Sequence, residues 1–220
     1  MMRSLGTIAA GLLLAIGQAL GQDTTGAAGA PEESTGRAWA FYLSALAYFV
    51  PDDQNYVAPI VTADYDWLHL EARYNYEELE TGSLFLGWNF SAGEKLWLEA
   101  MPMLGGVFRQ GTGLISAVAP GYKFTLGFQR IELYSEGEYV FGLEEASEDF
   151  FYSWSELYYT PVDWARVGLV SQRTKVYQTE LDLQRGLFAG FAYRKVDFGA
   201  FLFNLGWTSP TVVISAGLNF

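Results

Sequence analysis

One histidine and no cysteine bound the chemistry open to this chain of 220 residues. His69 alternates with Glu71 and Arg73, and a histidine beside a carboxylate is more often a hydrogen-bonded structural residue than a base. To work as a hydrolase it would need a serine within hydrogen-bond reach. Ser83 and Ser91 are nearest on the neighbouring hairpin, the first expected toward a rim and the second in a turn, so no triad assembles. With no cysteine, disulfides and thiolate metal sites are excluded. Carboxylates are then the only further metal ligands. Glu136 with Glu138, or Glu144, Glu145, Glu148 and Asp149, could at most attract a hard cation such as Ca²⁺, and a solvated acidic loop is the plainer reading. Leu104-Gly105-Gly106 and Gly111-Thr112-Gly113 lack the strand-to-helix setting and following lysine of a phosphate cradle. The residues imply no cofactor.

Acids dominate the charge, with 25 Asp and Glu against 13 Lys and Arg and a formal net charge of −12. Such a chain repels nucleic acid, which is not an expected partner. A fold must now place these carboxylates. From residue 38 onward, alternating or aromatic-rich segments are separated by short turn clusters, with no competing amphipathic helix. Strands are expected at 38–50, 56–63, 67–77, 83–90, 95–108, 114–125, 129–142, 151–160, 165–177, 181–194, 196–207 and 211–220. The fold class is all-β, a closed antiparallel transmembrane barrel. Twelve strands are even, which returns the C-terminus to the side from which the first strand left. The joins at Lys195 and near Thr179 are the least marked, and ten strands remain if either fails. Connections are short on both sides, which argues against a receptor, siderophore transporter or adhesin built on long exposed loops.

Segment 67–77 alternates most clearly. Leu68, Leu70, Ala72, Tyr74 and Tyr76 share one face and His69, Glu71, Arg73, Asn75 and Glu77 the other. Applied along the chain, the same parity lines the interior with His69, Glu71, Arg73, Asn75, Glu99, Lys123, Glu132, Glu136, Glu138 and Glu156. Arg166, Gln172, Asp182 and Gln184 follow on the later strands. A tight hairpin around Gly127 and Phe128 would set Lys123 opposite Glu132, leaving Glu136 and Glu138 without an evident cation. Pro102 and Pro120 suggest bulges in the fifth and sixth strands.

The last ten residues put Val212, Ile214, Ala216, Leu218 and Phe220 on one face and end on an aromatic. This ending resembles the C-terminal signal of bacterial outer-membrane β-barrel proteins, which the barrel-assembly machinery reads. The resemblance covers the ending and the strand pattern and reaches no subfamily. It implies an outer-membrane location, partners among outer-membrane lipids and the assembly machinery, and both termini in the periplasm. The start agrees: Met1-Met2-Arg3, an apolar run over 8–16 and Ala19-Leu20-Gly21 read as a secretory signal peptide over 1–21. Residues 22–37 lack a periodic apolar face and read as a flexible periplasmic leader, so the barrel is expected over 38–220. Aromatics near strand ends, among them Trp88, Phe90, Tyr139, Phe141, Trp164 and Trp207, suit the two membrane interfaces.

Strands about 4.8 Å apart and tilted about 40° close at a backbone radius of roughly 8 Å for eight strands and roughly 12 Å for twelve. The larger ring leaves a narrow passage unless Trp97, Tyr134, Trp154 and Phe188 block it. An acidic wall favours cations. The leading functional expectation is a narrow porin-like channel for small cationic or neutral solutes or ions. Two alternatives stay open, an outer-membrane lipid hydrolase and a sealed barrel with a structural or interaction role.

Overall fold

The computed structural model describes residues 38–51, 53–109, 115–143, 149–174, 183–206 and 210–220. Residues 1–37, with the expected leader, lie outside them, as do Asp182 and the turn near Thr179. The described residues form strands and turns, with no helix. The strands are β1 (Ala40–Phe49), β2 (Tyr56–Tyr65), β3 (Leu68–Tyr74), β4 (Thr81–Trp88), β5 (Phe90–Gly93), β6 (Leu96–Arg109), β7 (Ile115–Phe128), β8 (Ile131–Gly142), β9 (Phe150–Val162), β10 (Ala165–Arg173), β11 (Gln184–Tyr193), β12 (Val196–Phe203) and β13 (Thr211–Asn219).

The neighbour pairings are antiparallel, and the ring closes where β1 pairs with β13 and where β4 pairs with β6. β4 and β5 are successive stretches of one strand path, both hydrogen-bonded to β6. Asn89 interrupts them. Its amide bonds to the Trp67 carbonyl at 2.8 Å and its buried side chain donates to Asp64 at 2.9 Å. With β4 and β5 counted as one path, the thirteen segments make a closed twelve-strand antiparallel barrel. The end carrying residues 38 and 220 also carries tight two-residue turns, in which Asp66, Gln129 and Arg194 take the left-handed φ that such hairpins need. It is called the termini end below, and its opposite the far end.

Side chains alternate across most of the wall. The outward set is apolar and open, with Leu84, Leu86, Leu104 and Leu169 each 56–59% exposed. In water such a surface would be a large aggregation liability, whereas against hydrocarbon it is the favoured one. Aromatics gather at both ends of this band. Trp39 with Tyr65, Trp67 with Trp88 and Trp164 with Phe191 ring the termini end, and Tyr139 with Phe141 stands at the far end. Phe220 pairs its backbone with Phe41 in both directions, and Ile214 and Leu218 face outward with it. Val212 and Ala216 share that parity.

Three local readings are corrected. β3 stops at Tyr74, because Asn75 and Glu80 adopt left-handed φ in a turn over residues 75–80. That turn breaks the alternation locally, since Tyr76 and Glu77 are both buried. Tyr76, expected on the outer face, is buried inside, and Asn75 lies in the turn with its side chain donating to the Val57 carbonyl at 3.1 Å. The β7–β8 hairpin turns at Gln129-Arg130, so Lys123 stands opposite Glu136 and Glu132 falls opposite Gly127. Pro102 sits in regular register with Tyr122, and the register shift in the β6–β7 ladder comes instead between Val107 and Phe108.

Candidate functional site: the barrel interior

An ion-paired network covers the inner wall from β2 to β8. Asn89 donates to Asp64, whose Oδ1 lies 2.8 Å from His69 Nδ1, and His69 Nε2 lies 2.9 Å from Glu71 Oε2. With a carboxylate at each nitrogen, the ring satisfies both contacts by donating from both. Glu71 also receives Arg73 Nε at 2.5 Å and Lys123 Nζ at 2.6 Å. Arg73 Nη1 reaches Glu138 at 2.9 Å and Glu77 at 3.4 Å. The guanidinium lies between two rings, 4.3 Å from the centroids of both Tyr76 and Phe85. Gly105 makes this sandwich possible, because a Cβ there would overlap the Phe85 ring. Asp64, His69, Glu71, Arg73, Glu77 and Glu138 are all 5% exposed or less.

Some of these contacts cross the interior instead of following the wall. β4, β6 and β7 separate β3 from β8, so Arg73–Glu138 is a chord. Tyr76 donates to Glu136 and accepts from Tyr152 on β9 at 2.9 Å, and Tyr134 donates to Glu136 at 2.6 Å. A second chord runs from Gln172 on β10 to the Tyr48 hydroxyl on β1 at 3.2 Å. Lys123 also lies 3.5 Å from Glu136. Glu136 and Glu138 therefore have the cationic neighbours that the sequence left unassigned.

The wall from β9 to β13 is built of rings. Trp154 meets Phe201 and Phe203 edge-on at 4.9 and 5.4 Å, Phe188 stacks on Phe201 at 5.2 Å, and Tyr158 meets Phe188 at 5.9 Å. Phe203 and Val213 are wholly buried. Polar groups on this wall are anchored one at a time. Trp154 Nε1 donates to Glu156 at 2.8 Å, Tyr42 donates to Asp197 at 3.1 Å, and the Arg166 guanidinium lies 5.5 Å from the Tyr158 ring centroid. Gln184 is buried opposite Gln172 in the β10–β11 ladder.

Toward the termini end the packing loosens. Tyr42, Trp97, Glu99, Glu132 and Arg166 are half-buried, and Glu132 accepts from Tyr158 at 2.7 Å. Neither Glu99 nor Glu132 has a cation within ion-pair distance among the described residues. Glu77 Oε2, Glu138 Oε1 and Glu99 Oε2 are buried oxygens with no hydrogen-bond partner among the described residues. Burial pushes the Glu77 carboxyl up from the usual carboxylate range, against the opposing pull of Arg73.

This geometry weighs on the hydrolase chemistry. His69 spends both nitrogens on carboxylates, and Ser83 donates to Glu77 at 2.7 Å, so neither side chain is free to activate the other. Among the described residues no three His, Asp or Glu side chains gather as metal ligands. Expected wall residues from β3, β7 and β8 thus meet in one network, while Glu99 stands apart from it. Sequence reasoning missed Asp64, Tyr76, Phe85 and Asn89. Their signal lay in neighbouring strands whose register only the closed ring reveals.

No protein-family model matches the sequence, and no curated protein matches it. Among solved structures the chain is similar to the outer membrane protein Omp33 of Acinetobacter baumannii, at 10% identity and a TM-score of 0.43, over 83% of this chain and 98% of that one. The fold is defined by the closed ring, its apolar exterior and its charged interior. By that architecture the chain is a closed antiparallel β-barrel whose outer surface suits a membrane.

Proposed function

We propose that the protein resides in the bacterial outer membrane, with both termini on the periplasmic side, and acts as a narrow, cation-preferring channel. The observation that carries this reading is the surplus of inward carboxylate. Among the described residues, Asp64, Glu71, Glu77, Glu99, Glu132, Glu136, Glu138, Glu156 and Asp197 face only Arg73, Lys123 and Arg166, with His69 between. Buried carboxylates are costly unless paired or hydrated, so a permanently dry interior would have no use for unmatched ones. Water and cations entering from the termini end offset that cost, and the resulting field rejects anions. The two chords, Arg73–Glu138 and Gln172–Tyr48, set the scale of the path. They favour ions over sugar-sized solutes.

Planar-bilayer recording in a salt gradient tests the proposal. Small unitary steps with a reversal potential on the cation side are expected, together with no swelling of sugar-loaded liposomes. A folded protein that never conducts would overturn the channel. The same chords favour what would then stand in its place, a sealed barrel in which the network is a rigid filling.

A further inference from the structure

Five two-residue turns close hairpins at the termini end, Asp66-Trp67, Glu94-Lys95, Gln129-Arg130, Asp163-Trp164 and Arg194-Lys195. Of these, the turn between β11 and β12 alone carries two cations and no acid. Both of its side chains are exposed, and among the described residues neither has a carboxylate within ion-pair distance. Asp163 in the neighbouring turn is engaged elsewhere, 3.5 Å from Arg130. The Arg194 guanidinium instead lies 5.2 Å from the centroid of the Tyr193 ring. Beside this turn, on the outward face, a cleft of about 400 Å³ is lined by Trp164, Phe191, Ala192, Tyr193 and Arg194, a volume within the range of about 300–1,000 Å³ usual for small-molecule sites. The backbone holds its rings in place. Ala192 N–H donates to the Trp164 carbonyl at 3.0 Å, which sets the β9–β10 turn against β11, and the Trp164 ring meets Phe191 edge-on at 5.8 Å. Farther from the turn, Ala189 and Ala200 are exposed and stand opposite each other between Val167 and Ile214, so that row is shallow at its centre.

From the turn toward the middle of the membrane the order is thus cations, amphipathic rings, an apolar ring and a shallow apolar row. A phospholipid presents phosphate, glycerol and acyl chain in the matching order. The termini end is the periplasmic side in the reading above, where the leaflet is built of phospholipid. We infer that the β11–β12 turn binds an anionic phospholipid of that leaflet, with Arg194 and Lys195 on the phosphate, the glycerol in the cleft between Trp164 and Tyr193, and an acyl chain passing Phe191 onto Ala189 and Ala200. Arginine suits the task, because its planar fork meets phosphate oxygens in pairs, and the indole and phenol rings suit the depth of the ester groups. An anionic head is favoured over a zwitterionic one, because the turn offers a second cation and no acid for an ammonium. A second copy of the chain fits less well. Packed through this turn about an axis along the membrane normal, two copies would bring their cations together. The inference rests on the periplasmic placement of the termini end and is independent of conduction.

The test uses the full barrel folded in detergent micelles doped with equal amounts of phosphatidylglycerol and phosphatidylcholine, and native mass spectrometry counts the lipid each barrel retains. Folding is checked by heat-modifiable gel migration. One phosphatidylglycerol per barrel should be retained several-fold more often than one phosphatidylcholine. Arg194→Asn/Lys195→Gln should bring the two lipids level, asparagine being chosen because φ at residue 194 is 57°, a left-handed value it tolerates. Lys195→Gln alone should remove part of the preference, and it serves as the second reading if the double variant fails to fold. Trp164→Ala/Tyr193→Ala should lower retention of both lipids while phosphatidylglycerol stays ahead, and Arg173→Gln/Arg185→Gln at the far end should change neither. No preference in the parent protein, one that survives Arg194→Asn/Lys195→Gln, or one that Arg173→Gln/Arg185→Gln removes would overturn the site. So would a dimer in lipid-free micelles that Trp164→Ala/Tyr193→Ala dissolves, since that would assign the cleft to protein contact. A barrel that retains the lipid without conducting refutes the channel alone, and one that conducts without the lipid preference refutes this site alone.

Discussion

Two inner walls face each other across one ring. From β2 to β8 the interior is held by charge, with Arg73 and Lys123 clamped among carboxylates, and from β9 to β13 by ring packing around Phe203. Their outer faces are both mainly apolar, so the sharper difference lies on the side away from lipid. Ring packing is non-directional and tolerant, and it stabilises roughly in proportion to the area buried. A buried ion-pair network is directional: satisfied, it fixes geometry, and with one member removed it leaves an uncompensated charge. The charged wall is therefore where selectivity can reside, and the ring-built wall is where stability is gained at least risk.

The largest expected effect comes from Arg73→Met. It strands Glu77 and Glu138, whose only described cation is Arg73, and should cost about 3–5 kcal/mol of unfolding free energy. Urea titration of the barrel in vesicles measures it. Arg73→Lys should recover part of the loss, because it restores charge but neither the fork nor the stacking between Tyr76 and Phe85. Phe203→Ala should cost about 3 kcal/mol by opening a cavity, yet leave the reversal potential where it was. If it moved selectivity as far as Arg73→Met, the division of labour between the walls would fail.

How much of this the residues announced differs between the same two walls. On β3 and β8 charged and apolar side chains alternate, so His69, Glu71, Arg73, Glu136 and Glu138 were assigned a face from the sequence. β12 reads Val-Asp-Phe-Gly-Ala-Phe-Leu-Phe, apolar on both faces, and alternation has no contrast there to report. Alternation therefore does not mark Phe201 and Phe203, whereas Trp154 and Phe188 stand out by bulk. Register was harder still. A turn at Gly127-Phe128 pairs Lys123 with Glu132, whereas the turn at Gln129-Arg130 slides every partner along, and Arg73–Glu138 is not legible from adjacent strands because it spans the ring. The break at Asn89 follows from its bond to Asp64, a partner 25 residues away.

Glu77→Gln sharpens the comparison from within the charged wall. Burial raises this carboxyl above its unfolded value, so its contribution to stability is fully present below the ordinary carboxylate range and is lost as pH rises through the raised value. The amide keeps the shape and the Ser83 contact while removing a charge from a wall with too many. Stability of the variant should fall less steeply with rising pH than that of the parent, and at low pH the two should differ by no more than about 1 kcal/mol. Denaturant midpoints measured across a pH series decide it. Parallel curves would mean that Glu77 is ionised and matched.

The smallest effect belongs to a polar pair on the outside. Ser135 and Ser155 share a hydrogen bond on the outward face, where no water competes but where the unfolded chain in a membrane also finds partners. Truncating either to alanine leaves one hydroxyl unpaired, whereas truncating both leaves none. A double-mutant cycle should therefore return a coupling of about 0.6 kcal/mol, with the double alanine variant close to the parent. That value, set beside the cost of Arg73→Met, measures how much of the polar stabilisation in this barrel requires enclosure. A coupling of several kcal/mol would place these outer-side hydroxyls on a par with the network inside, and the contrast would then lie between charged and neutral partners, not between an inner and an outer face.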